Sequence, residues 1–275
     1  MNYILKIVVL SSLLLINTHA QVKIMNIGDS VSLGRHLRQL QSRMEADGFT
    51  NYDFVGEYQS SGFPQDTNRL AYGGARYRDN INGRMVDRGS GLKFEPGVNY
   101  GIPVYDPDVI LVLGGYNNMA QETVGGGLTS SKNEFINLMG SLVSQAPRAE
   151  IFISNITDFH PDRTWGYKRQ NVFDFNNFMS DTLGEFAIAG LNINWVDNYA
   201  DVLHSDTTSD GLHVAQSGHN KIGDNWYEAM TRADIFADSL ATPQTSSLSI
   251  TSVPEPSSTA LLGLGALGLI ARRRR

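Results

Sequence analysis

The chain has 275 residues and no cysteine. That excludes disulfide staples, thiolate nucleophiles and cysteine-ligated zinc. Positive charge is also scarce. Twenty-two Lys and Arg stand against 28 Asp and Glu, a formal charge of −6, and this acidic balance argues against nucleic acid as a partner. No internal repeat is present, and long apolar runs occur only at the two ends. No pair of the six histidines has ligand spacing with a convincing third group, so no metal is expected. What is present, 41% hydrophobic residues and 27 glycines, suits one domain with a large core and tight turns.

The ends read as processing segments. Residues 1–20 carry Lys6, the apolar run Ile7–Ile16 and a small-residue end at Ala20, the pattern of a signal peptide cut before Gln21. Residues 21–240 are then the folded body, and 241–258 a linker rich in Ser, Thr and Pro. Residues 259–275 form a short apolar segment ending in Arg272–Arg275. This length is marginal for a bilayer span of ~17–25 residues, and the arginines favour a tail held transiently at the membrane with its basic end inside. The order Val253-Pro254-Glu255-Pro256, apolar segment, arginine cluster resembles the PEP-CTERM sorting signal. It implies export to the periplasm, cell surface or medium, with a dedicated sorting enzyme as partner. Removing both ends takes away five basic residues and one acid, leaving the body near −10.

Within the body, five short apolar runs predict buried strands: Val22–Ile27, Tyr52–Val55, Val109–Leu113, Ile151–Ser154 and Ile193–Val196. Helical patterns fall between them at Leu33–Ala46, Ser131–Ser144 and Tyr167–Ala189, with a last one at Ser217–Thr231. Alternating strands and helices imply parallel pairing and right-handed crossovers, hence an α/β sandwich. Residues 56–108 lack sustained periodicity, and a long loop with a short helix walling a site is expected there.

Four stretches carry candidate chemistry. Gly28-Asp29-Ser30 ends the first strand, where open α/β sheets place their sites. Taken alone it also suits an ordinary turn and helix cap. Tyr72-Gly73-Gly74-Ala75-Arg76 allows close approach of backbone N–H groups, and Gly114-Gly115-Tyr116-Asn117-Asn118 sets side-chain amides past the end of a strand. Asp210-Gly211-Leu212-His213 places an acid three residues before a histidine in a turn entering a helix. An acid so placed can orient the imidazole as a base for a serine. His36, His160, His204 and His219 lack an acid at that spacing and default to structural or surface roles.

The four blocks in this order resemble the SGNH (GDSL-type) hydrolase family. The resemblance implies a three-layer α/β/α sandwich, flavodoxin-like, with a parallel sheet of about five strands. It also implies Ser30 as nucleophile, His213 as base and Asp210 as its orienting acid. The oxyanion hole would consist of the Ser30 and Gly74 N–H groups and the Asn117 amide. The family's third block usually ends in Asp where this chain has Asn118. No cofactor is implied.

The expected activity is hydrolysis of short-chain, O-acetyl-type esters on carbohydrate through an acyl-enzyme. Asp29, Arg76, Tyr77, Tyr116 and Asn118 are candidate substrate-binding residues, with Tyr58, Tyr72 and Trp165 as further aromatic lining. A lipolytic esterase or lysophospholipase on the same triad is the nearest alternative; a non-catalytic glycan-binding or matrix protein is one of another class.

Overall fold

The computed structural model describes residues 21–58, 68–87, 92–188 and 191–237. The expected signal peptide, the linker and the C-terminal tail lie outside the described residues.

The strands β1 (Val22–Gly28), β2 (Tyr52–Val55), β3 (Leu70–Ala71), β4 (Arg84–Asp87), β5 (Leu92–Glu95), β6 (Val109–Leu113), β7 (Glu150–Ser154) and β8 (Ile193–Val196) alternate with helices. The main sheet runs β2-β1-β6-β7-β8 with every neighbouring pair parallel. β3 pairs with Ile27 and Gly28, on the last two residues of β1. Central position shows in composition. All five residues of β6, Val-Ile-Leu-Val-Leu, are buried, as a parallel strand covered on both faces requires.

The helices are α1 (Arg35–Ala46), α2 (Tyr77–Asn82), α3 (Val98–Tyr105), α4 (Tyr116–Gln121), α5 (Thr129–Gln145), α6 (Arg169–Ile188), α7 (Asn198–Asp201) and α8 (Gln216–Arg232). They form two groups, giving the three-layer α/β/α sandwich. In one, α1 packs on α8. Leu37, Leu40 and Met44 form the inward stripe of α1, at the i, i+3, i+7 spacing of an amphipathic helix, and all are fully buried. Each such side chain contributes roughly 1.5–3 kcal/mol by leaving water. In the other group, Tyr77 of α2 meets Phe135 of α5 and Phe175 of α6, with ring centroids 5.5 and 6.0 Å away.

All five strands expected from apolar runs are present, within a residue at the ends. The helices begin or end up to two residues from the expected positions: α1 starts late because Gly34 is left-handed, α6 because Tyr167 and Lys168 belong to a 3-10 turn, and α5 and α8 run one or two residues further at each end. Residues 56–108 are more ordered than a loop with one short helix: they hold β3, α2, the antiparallel β4–β5 hairpin and α3. These pieces are two to eight residues long, too short for periodicity to reveal. The hairpin leaves Met85, Leu92 and Phe94 exposed, so an apolar alternation marks no buried face there. Arg84 paired to Glu95 at 2.8 Å pins its ends.

Candidate active site

β1 ends where it passes closest to β6. A Cβ on Gly28 would stand 1.8 Å from the Leu113 carbonyl oxygen, so only glycine fits. The chain then turns through the Ser30–Ser32 3-10 turn, capped by Asp29. The Asp29 carboxylate accepts the Val31 N–H at 3.0 Å on one oxygen and the Tyr116 N–H at 3.0 Å on the other. It therefore ties the Ser30 turn to the start of α4. Burial lifts its carboxyl to about 6, partly opposed by those two N–H groups and by the nearby His213 charge.

Ser30 Oγ lies 2.8 Å from His213 Nε2, across 183 residues of sequence. His213 Nδ1 lies 2.6 Å from Asp210 Oδ2. The other Asp210 oxygen accepts the Leu212 and His213 N–H groups, both at 2.9 Å, and the Thr208 hydroxyl at 2.8 Å. Desolvation pushes the Asp210 carboxyl up. The hydrogen bonds from the His213 ring, the two amides and Thr208 outweigh it and hold the group well below the usual carboxylate range. The turn is braced from behind, because the His160 N–H donates to the Gly211 carbonyl at 2.8 Å. Gly211 has φ +76, and a Cβ there would meet the Arg163 side chain at 2.3 Å. A hydroxyl, an imidazole and a carboxylate held in a chain can pass a proton from the hydroxyl to the ring.

The Gly73-Gly74 turn and the Asn117 amide are tied together beside this chain. Tyr72 N–H donates to the Gly28 carbonyl at 3.2 Å, which docks the glycine turn on the end of β1. Asn117 Nδ2 donates to the Ala75 carbonyl at 3.1 Å. Arg84 donates to the Gly73 carbonyl at 2.6 Å, the carbonyl of the peptide whose N–H belongs to Gly74. Gly74 itself has φ +80 and is exposed.

A cleft of about 510 Å³ is lined by Ser30, Asp210 and His213 together with Arg35, Arg69 and His219. Gly74 and Asn117 lie beyond its lining. Tyr58 reaches it and is half exposed.

The five candidate substrate-binding residues are elsewhere, and four are corrected outright by burial. Asp29, Tyr116 and Asn118 are fully buried and Tyr77 is 1% exposed, so none can touch a substrate. Tyr77 donates its hydroxyl to the Gly114 carbonyl at 2.9 Å, and Tyr116 shares a hydrogen bond with Thr157 at 2.9 Å. Asn118 accepts the Tyr77 N–H at 3.1 Å and donates to Glu134 at 2.7 Å. An amide serves both partners, whereas a carboxylate at 118 would face that of Glu134. Arg76 is engaged with Glu134 at 2.9 Å and Gln121 at 3.2 Å and does not line the cleft. Tyr72 is buried, and Trp165 does not line the cleft either. All are large polar or aromatic residues near a catalytic motif, a pattern that buried, hydrogen-bonded groups share with ligand contacts.

Arg84, Arg35, Arg69 and His219 are not legible in the sequence as site residues. The one signal there is local: Arg35, His36 and Arg38 crowd the first turn of α1 with no acid among them. Among the described residues no group of three or more His, Asp or Glu is placed to hold a metal ion.

Known proteins share this outline. The profile of the GDSL-like lipase/acylhydrolase family matches residues 24–226, and a PEP-CTERM protein-sorting motif matches residues 252–275, which supports export to the cell envelope. A multidomain esterase of Ruminococcus flavefaciens is 24% identical over 222 residues, covering 75% of this chain and 28% of that protein. The chain thus spans little more than a quarter of that relative's length. A family 3 carbohydrate esterase of Clostridium thermocellum superposes with a TM-score of 0.59 at 21% identity, over 80% of this chain and 99% of the other. A carbohydrate esterase family 3 protein of Talaromyces cellulolyticus gives 0.59 at 17% identity, over 79% and 99%. At these identities the superpositions establish the fold. Among the described residues no helix is long and apolar enough to cross a membrane.

Proposed function

The chain belongs to the GDSL-like lipase/acylhydrolase family, and from that premise we propose that it is an exported serine esterase that removes short acyl groups, acetyl above all, from carbohydrate. The observation that carries the reading is the unbroken chain from Ser30 Oγ through His213 to Asp210, with links of 2.8 and 2.6 Å.

In this reading His213 Nε2 takes the Ser30 proton as Oγ attacks the acyl carbonyl. The negative charge passes to the carbonyl oxygen, held by the Ser30 and Gly74 N–H groups and the second N–H of the Asn117 amide. Oxyanion donors of this kind are worth about 10²–10³ each in rate. The carbon–oxygen bond to the sugar then breaks, and His213 returns its proton to the leaving alkoxide. Water, deprotonated by His213, attacks the acyl-Ser30 ester; the acyl–Oγ bond breaks, His213 returns the proton to Ser30 Oγ, and the carboxylic acid leaves. Asp210 stays ionised throughout and holds the imidazolium.

The cleft supports a polar substrate. Its volume is within the ~300–1,000 Å³ of small-molecule sites, and Arg35, Arg69, Thr208 and His219 interrupt what would have to be an apolar wall for a long acyl chain. The two superposed carbohydrate esterases and the sorting motif, which directs the chain to the envelope, point the same way. The sorting enzyme that reads the tail is the partner this reading requires.

The test is acetate release from acetylated xylan, pectin and sialic acids by the mature body, with Ser30→Ala as control. Release abolished in the variant supports the proposal. Preference for long-chain acyl esters over acetyl would favour a lipolytic enzyme on the same triad instead.

A further inference from the structure

The wall of the cleft opposes the charge of the rest of the protein. The body is acidic, near −10 without its ends. Yet Arg35 and Arg69 line the cleft, and the one acid among the described residues that line it, Asp210, is engaged with His213.

Arg35 is the first residue of α1. A helix N-terminus carries partial positive charge, so a cation there is unfavourable and an anion is welcome. This helix has twelve residues, a left-handed Gly34 as its cap residue at φ 103, no side-chain cap and no acid in its first turn. Arg38 adds to the excess of positive charge. Among the described residues Arg35 has no carboxylate partner, whereas Arg43, Arg76, Arg84 and Arg169 each hold one.

A second, independent feature faces the same space. His219 lines the cleft and is 5% exposed; the Val214 backbone approaches its ring, but no side chain among the described residues bonds its shielded Nδ1. A buried polar atom of this kind is costly unless a ligand or water meets it. Burial, with the charges of Arg35 and His213, holds the ring at about 4, so at neutral pH it is an uncharged hydrogen-bonding group. Arg69 adds its charge from a buried position, its guanidinium 5.1 Å from the centre of the Tyr58 ring.

We infer that the cleft selects esters that carry a carboxylate close to the acyl group, received by Arg35 at the open end of α1 with His219 and Arg69 completing the pocket. On a polysaccharide the carboxylate would be that of a uronic acid bearing the ester. Arg pairs with carboxylate through two parallel hydrogen bonds, which fixes orientation as well as charge. The inference rests on the esterase reading and names its substrate class.

The test compares kcat/KM of the mature body on a methyl glucuronoside and a methyl glucoside bearing the same O-acetyl group. A second arm compares 4-nitrophenyl hemisuccinate with 4-nitrophenyl acetate, to distinguish a carboxylate on the sugar from one on the acyl chain. The expected result is a preference of about tenfold for the uronate, shrinking in high salt as exposed charges are screened. Arg35→Gln is expected to bring the uronate-to-glucoside ratio close to one, and Arg35→Lys to keep part of it. A preference confined to the hemisuccinate would overturn the uronate assignment. Equal rates on uronate and glucoside, or a preference that Arg35→Gln leaves intact, would overturn the inference while leaving the esterase standing. Failure to hydrolyse even 4-nitrophenyl acetate would overturn the esterase reading itself.

Discussion

The Arg84 guanidinium donates to the Gly73 carbonyl at 2.6 Å, while its Nε is 2.8 Å from Glu95. The Gly73–Gly74 peptide is therefore gripped from its carbonyl side, and its plane sets where the Gly74 N–H points. Two glycines cannot hold that plane alone. Polarising the carbonyl also makes the N–H a better donor. The β4–β5 hairpin thus acts as a brace for the proposed oxyanion hole.

Replacing Arg84 by Lys keeps a cation for Glu95 but loses the planar fork. We expect kcat for acetyl esters to fall about tenfold with KM nearly unchanged, as for an interaction that matters in the transition state. Steady-state kinetics on the soluble variant reads this directly. An equal fall in substrate affinity would place Arg84 in binding instead.

Asp210→Asn tests the orienting acid. The amide can still accept the Leu212 and His213 N–H groups, but its NH₂ faces His213 Nδ1 and favours the wrong tautomer. By analogy with other Ser-His-Asp enzymes, kcat should drop about 10⁴-fold. Thermal melting should move little, since Asp210 is partly exposed. A drop of only a few-fold would remove Asp210 from the triad.

Much of this arrangement is legible in the sequence. The buried strands announce themselves because a parallel strand covered on both faces must be continuously apolar, as in Val109–Leu113. Asp210 and His213 are legible because one short turn sets them three residues apart, whereas Ser30, 183 residues from His213, is legible as the end of a strand in a block order that resembles the hydrolase family. The substrate wall is not. Whether Tyr77 packs inward or faces solvent depends on the path of α2, and that path is set by contacts with α5 and α6 far along the chain. Arg84 is hidden for the same reason: its role exists only once the hairpin folds against the glycine turn.

Two buried groups give the protein opposing responses to pH. Asp29 titrates near 6 in the fold against 3.8 ordinarily. The native state therefore holds its proton longer than the unfolded chain, and this group lowers stability as pH rises from about 4 to 6. His219 titrates near 4 against 6.5. Here the unfolded chain binds the proton first, so this group raises stability over the same window. Each amounts to roughly 3 kcal/mol at ~1.36 kcal/mol per pH unit, and the two nearly cancel. His36, fully buried and held well below its ordinary value by desolvation, adds a further rise in stability with pH, so Asp29→Asn should steepen the rise in melting temperature between pH 4 and 6.5 and His219→Asn should flatten it. Identical pH profiles in wild type and both variants would contradict these environments.

Gly28→Ala should prevent normal folding. Its Cβ would collide with the Leu113 carbonyl and with Ser32 Oγ, at 1.8 and 2.4 Å. The strands must part or the Ser30 turn must move. Overpacking costs about 1–3 kcal/mol where side chains can shift, and a clash with backbone costs more. Soluble yield and chemical denaturation measure it; a variant as stable as the wild type would refute the packing described.

The most direct measurement is the rate of acetyl ester hydrolysis by the mature body beside Ser30→Ala, which removes one oxygen from a fold it barely disturbs. A nucleophilic Ser30 predicts a loss of at least ~10⁴-fold in kcat, with acetyl recovered on the Ser30 peptide when turnover by the unmutated body is quenched in acid. Hydrolysis that survives Ser30→Ala at the wild-type rate would contradict it.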